Sequence, residues 1–343
     1  MTRSLKGISI AVVCLLLSLG SLAQAPTRRI SNGESTIHIF PRVQDVLGLR
    51  LSAGFAGHNG GTPPLLYHGG PVMLTHTLYA IFWKPPKLQN GAATGMSAKY
   101  QPLMTSLLTE YPGHSLAAIN TQYYQTVSTT TTYIKNQGSF GGSYVDTAAY
   151  PPGGCPAAGG NCLSDAQIRN EIKKVMGIKG WTGGLNKMFL LFTSSGEASC
   201  FDTAGTQCST NAFCAYHSHF LNAASQHVIY TNEPYGNPIN CQAPGAPSPN
   251  GDAVADAAAT AASHEISEAI TDPLLNAWYD SSGFENGDEC AYTYGRLGWG
   301  SGKANEKWDG KLFLLQTEYD NQLSGFYISD PNFAGCFNAG PEL

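Results

Sequence analysis

The run DAVADAAATAASHEISEAITD, residues 252–272, restricts the fold of this chain more than any other stretch. Alanine is the strongest helix former, the run contains neither Gly nor Pro, and Pro273 blocks continuation because it lacks an amide donor and its ring clashes with the preceding turn. The run therefore predicts a long helix, with His264, Glu265 and Glu268 near its C-terminal end. Side chains four apart share a helix face, so His264 and Glu268 point the same way while Glu265 sits one step round.

That spacing is the HExxH pattern of zinc hydrolases with Glu268 in place of the second imidazole. A carboxylate binds zinc at a similar distance, so the geometry survives the replacement. Three ligands that include two carboxylates would neutralise more of a dication's charge, leaving a weaker Lewis acid and giving Glu265 more to do as general base. Zinc is the expected ion, with manganese, iron or calcium as alternatives. A third ligand is needed. Asp288, in the Gly-flanked stretch ENGDEC beside Cys290, is the first choice, and Tyr294 is placed to stabilise an oxyanion. His217 and His219 in YHSH share one face of a strand, which makes His217 the alternative ligand or substrate contact. Glu265, Glu268 and Asp272 also form a stripe that reads as a solvated face or a calcium site. Acidic groups near a helix C-terminus oppose the macrodipole, however, and without a nearby cation they cost stability.

A helix of this kind needs a sheet to cover. HTLYAIFW (76–83), KMFLLFT (187–193), HVIYT (227–231) and KLFLLQTEY (311–319) read as strands, and Leu103, Met104, Leu107, Leu108 and Tyr111 recur at helical spacing. Ser164 with Gln167 forms a capping box for DAQIRNEIKKVMG, with Gly177 as its expected end. This order predicts a single-domain α/β fold, a mixed sheet covered by helices and stabilised by disulfides, in an order that zincin metallopeptidases share.

Residues 1–23 carry Arg3, Lys6, an apolar run and small residues, the layout of a secretory signal. Residues 24–65 follow as an N-terminal extension or propeptide, and 66–343 form the folded domain. Removal of Arg3 and Lys6 takes the formal charge from −5 to −7. With no basic stripe to neutralise phosphates, a nucleic-acid partner is excluded, and no further apolar run is long enough to span a bilayer. Eight Cys remain, an even number that in an exported chain predicts disulfides, with Cys155 and Cys162 as a local pair. The location implied is extracellular or periplasmic.

Several short segments resemble the Exordium family, also called phosphate-induced proteins. They are LLYHGGPVM (65–73) followed by LYAIFW, CAYHSHF (214–220), TDPLLNAWY (271–279), and GDEC with the YG at 294–295. The resemblance runs from about residue 65 to 337. It implies a secreted, wall-associated role in growth or signalling and assigns no role to His217. Two expectations result: a secreted zinc metallopeptidase acting on peptides or proteins, and a non-catalytic extracellular protein.

Overall fold

The computed structural model describes residues 28–52, 64–155, 160–236, 238–328 and 333–340. The expected signal segment and most of the Gly/Pro-rich stretch before Leu65 lie outside them. A seven-stranded mixed sheet runs through the molecule. Its strands are β1 (Arg29–Ser31), β2 (Thr36–Pro41), β3 (His76–Trp83), β4 (Gly138–Asp146), β5 (Lys187–Phe192), β6 (Phe213–Leu221) and β7 (His227–Glu233). Their spatial order is β1-β2-β6-β7-β5-β3-β4. Pairing is antiparallel from β1 to β7 and parallel from β7 through β5 and β3 to β4.

Alternation along the central strands sorts side chains onto two faces. Leu78, Ala80 and Phe82 of β3, with Met188, Leu190 and Phe192 of β5, form a core with α2 (Tyr100–Glu110) and α4 (Ala253–Thr271). Ile81, Trp83, Phe189, Leu191, Val228 and Tyr230 face the other way, onto Ile168, Ile172, Val175 and Met176 of α3 (Asp165–Lys179). A further helix, α1 (Val43–Ser52), follows β2. The residues read as an N-terminal extension thus add two strands to the main sheet.

The capping box is present at α3, where the Ser164 hydroxyl accepts from Gln167 N and the Gln167 side chain accepts from Ser164 N at 2.9 Å. The helix passes Gly177, its expected end, because Gly180, three residues later, supplies the left-handed C-cap at φ 65°. KLFLLQTEY is not one strand: Lys311–Phe313 and Glu318–Tyr319 pair with different partners. The intervening Gln316 instead turns its amide to His264 and Gly287.

Asp252 caps α4 by accepting from Ala255 N at 3.1 Å. Its alanines let the helix lie close to the sheet, and it is buried on all sides, so Glu265, Glu268 and Asp272 are not a solvated face. Disulfides join Cys155–Cys162, as expected, and Cys200–Cys208, Cys214–Cys241 and Cys290–Cys336. No helix among the described residues is long and apolar enough to cross a membrane.

The Cys290–Cys336 bridge closes 46 residues, and in the chain-entropy account a loop of that length stabilises by about 4 kcal/mol. Replacing both cysteines by serine is expected to lower unfolding stability by about that amount, measured in urea. A pH effect comes from Glu197, which burial pushes up to about 7 despite a hydrogen bond from Gln89. The folded chain holds this proton more tightly than the unfolded chain. The group's contribution is therefore full below its ordinary value of 4.5 and is lost as pH rises through about 7. Glu197→Gln should leave the melting temperature unchanged near about pH 4 and raise it near about pH 9.

Candidate metal centre

The sheet supplies two imidazoles. In TIHIFP, Ile37 and Ile39 join the α3 core, so His38 between them faces α4. On β6, Tyr216 joins the same α3 core and His217 faces α4. His38 and His217 are direct cross-strand partners, both fully buried, with ring centroids 5.4 Å apart. His219 lies on the same face as His217 but is half-buried and meets His227 instead.

From α4, His264 Nε2 comes within 3.1 Å of Glu268 Oε1. The other carboxylate oxygen, Glu268 Oε2, faces His38 Nε2 at 3.7 Å and His217 Nδ1 at 3.6 Å. Glu265 Oε2 lies 3.0 Å from His217 Nδ1. The Gln316 amide nitrogen donates to His264 Nδ1 at 2.9 Å and to the Gly287 carbonyl at 2.7 Å. The second contact fixes the amide's orientation, so Nδ1 of His264 is an acceptor and its proton sits on Nε2, facing Glu268. Burial holds the pKa of this imidazole at about 4, hence neutral.

The third contributor is the short helix α5 (Asn286–Glu289) and its N-cap, Glu285. Asp288 Oδ2 lies 2.8 Å from His38 Nε2, and Glu285 Oε1 lies 3.1 Å from His38 Nδ1. Asp288 N donates to Glu268 Oε1 at 3.1 Å. That approach requires glycine at 287, where an added Cβ would stand 2.6 Å from His264 Nδ1 and 3.0 Å from Glu268 Oε1. Arg28 pairs with Asp288 at 3.2 Å, while Arg29 spans Asp272 at 2.6 Å and Glu285 at 3.2 Å.

Five carboxylates, from Glu265, Glu268, Asp272, Glu285 and Asp288, are thus fully or almost fully buried against two guanidiniums. Burial raises Glu268, Glu265 and Glu285 well above the ordinary carboxylate range, and their mutual repulsion adds to it. Burial also pushes Asp288 up, but Arg28 and His38 outweigh it and hold that group well below the range. Burial, with His38 and His264 nearby, keeps His217 neutral. His217 Nε2, Glu265 Oε1, Glu268 Oε2 and Glu285 Oε2 are all buried without a hydrogen-bond partner. Unsatisfied buried acceptors of this kind, beside imidazole nitrogens, could hold a cation. The donors fall into two triads, His38–Glu268–Asp288 and His217–Glu268–Glu285, with the ligand atoms of each within 4.8 Å of one another.

Of the residues expected from sequence, Glu268 and Asp288 meet here, with Glu265 and His217 beside them. His264 reaches Glu268 through the oxygen that faces away from the other imidazoles, and His38 stands next to Asp288. Tyr294 turns its hydroxyl to Ala243 N at 3.4 Å and to Thr260, and burial raises it to about 12. Sequence reasoning missed His38, Glu285, Arg28 and Arg29. A lone His between two apolar residues in a period-two run was the available signal for His38.

No protein-family model matches the chain, and no solved structure matches it. A stretch of 100 residues is 31% identical to "Protein EXORDIUM-like 5" of Arabidopsis thaliana, covering 27% of this chain and 27% of that protein. The similarity is to an Exordium-like protein. It spans about a quarter of that relative's length, so it bears on kinship and leaves the centre's chemistry to the geometry.

Gly287→Ala tests that geometry. The methyl group must displace His264 or the 287–288 backbone, and the expected cost is about 1–3 kcal/mol of stability, read by urea unfolding, with weaker divalent-cation binding.

Proposed function

We propose that this chain is an exported, divalent-metal-dependent hydrolase of zincin-like construction, with zinc as the first-choice ion and peptide bonds as its substrate. The observation that carries the reading is the convergence of unpartnered, fully buried carboxylate and imidazole atoms around Glu268 Oε2. His38, Glu268 and Asp288 offer the donor set of a catalytic zinc, and the ion would supply an acidified water and a Lewis acid for the scissile carbonyl. Glu265 then serves as general base: its Oε1 has no partner, and burial, with repulsion among the carboxylates, gives it proton affinity. Substrate entry requires β1 to move. This strand forms the sheet edge, is held to β2 over three residues and carries Arg29 across the centre. The four disulfides and the Exordium-like relative fit an extracellular location.

A second reading has its own support. Every donor is buried, as in a structural metal site, which favours a non-catalytic extracellular protein stiffened by a cation.

Digestion of a broad peptide library by purified, zinc-loaded protein separates the two. The hydrolase reading expects cleavage that Glu265→Gln reduces by about 10²–10⁴-fold with its bound zinc retained. Zinc-loaded protein that cleaves nothing, and whose melting temperature drops in chelator, establishes the non-catalytic reading instead.

A further inference from the structure

The two donor triads have one member in common, and each contains one of the two strand imidazoles. Glu268 Oε2 stands between them, 3.7 Å from His38 Nε2 and 3.6 Å from His217 Nδ1. Past His38 lies Asp288, while Glu285 spans the two imidazoles, with Oε1 3.1 Å from His38 Nδ1 and Oε2 3.7 Å from His217 Nε2. A single ion would draw on one triad and leave the other's buried oxygens unsatisfied. We propose that the cluster holds a pair of divalent cations bridged by the Glu268 carboxylate, one bound by His38 and Asp288 and the other by His217 and Glu285.

This deepens the hydrolase reading and rests on it. Two-metal hydrolytic sites hold their ions roughly 3.5–4 Å apart, which suits ligands carried by cross-strand neighbours on either side of one bridging group. In such sites the pair clamps both the attacking and the leaving oxygen of a displacement at a carbonyl or phosphoryl centre. Glu265, against His217 at 3.0 Å, borders the second position. Arg28 and Arg29 then act as counter-ions on the outer oxygens of Asp288 and Glu285.

Metal stoichiometry decides the matter. The full chain, stripped with chelator and dialysed against zinc, is expected to retain about two equivalents by elemental analysis. His38→Ala and His217→Ala should each retain about one, and Glu268→Ala none. Manganese loading of the wild type should give an exchange-coupled electron paramagnetic resonance signal, a readout that needs no variant to fold. Saturation at about one equivalent with an isolated-ion spectrum overturns the pair and leaves the single-ion hydrolase standing. An absence of uptake overturns both readings, and full occupancy retained in both imidazole variants overturns the ligand assignment.

Discussion

The arrangement depends on the electrostatic problem created by burying Glu268 among other carboxylates. A carboxylate taken out of water without a partner costs several kcal/mol, and here Glu265, Glu285, Asp272 and Asp288 surround it. Folding meets part of this demand with protein groups. Arg28 and Arg29 come from the N-terminal edge, the Asp288 amide reaches Glu268, and neutral imidazoles fill the rest of the volume. The remainder is met by protons or by metal ions. Protons would make Glu268 and Glu285 hydrogen-bond donors to the carboxylate oxygens and imidazole nitrogens they face, so shared protons meet part of the demand when no ion is bound. Divalent cations, bound as proposed, would instead take these oxygens and nitrogens as ligands.

Strand register places the ligands. Because the side-chain period of a strand is two, a one-residue slip of β2 against β6 would turn His38 toward α3 and bring an isoleucine into the cluster. Ile37 and Ile39 prevent that slip, since both are buried in the α3 core and would have to change faces as well. The His38–His217 pair is thereby held by hydrophobic burial on the opposite side of the sheet. A comparable division operates at α5. The Cys290–Cys336 disulfide and the hydrogen bonds of Asn286 to Asn120 and Ser267 fix its backbone, leaving Glu285 and Asp288 to face inward.

The elements that were legible in the sequence are those whose signal is local. The Ala-rich helix stopped by Pro273, the capping box at Ser164 and the apolar strands each follow from a few adjacent residues, and so did the Cys155–Cys162 pair. The centre was legible where a short local pattern marks it, as with Glu265, Glu268 and Asp288 on and just after one helix and His217 in YHSH. His38 was not, because nothing within TIHIFP tells whether residues so far from α4 in the chain return to it. Its contribution is fixed by β2 pairing with β6, a contact about 180 residues apart in sequence. His264 shows the converse. Helical spacing places it correctly beside Glu268, but its second nitrogen is engaged by Gln316, a residue expected to lie within a continuous strand.

The position of Glu265 bears on whether the centre is catalytic or merely cohesive. It belongs to neither donor triad, yet it is buried beside both, with one oxygen on His217 and the other without a partner. A purely structural cation site has no use for such a group. Placing a further carboxylate there raises the repulsion that the cations must offset, and a glutamine of the same shape would hold His217 at lower electrostatic cost. A hydrolytic centre does need a basic group that stays off the metal and within reach of its water. Glu265 would meet that requirement, because burial first, and then the adjacent carboxylates, raise its affinity for a proton. The cluster lies close to the sheet edge formed by β1, whose Arg29 reaches Asp272 and Glu285. Arg28, Arg29 and His38 all come from residues 28–38, so one short stretch of chain supplies both guanidiniums and one imidazole of the cluster.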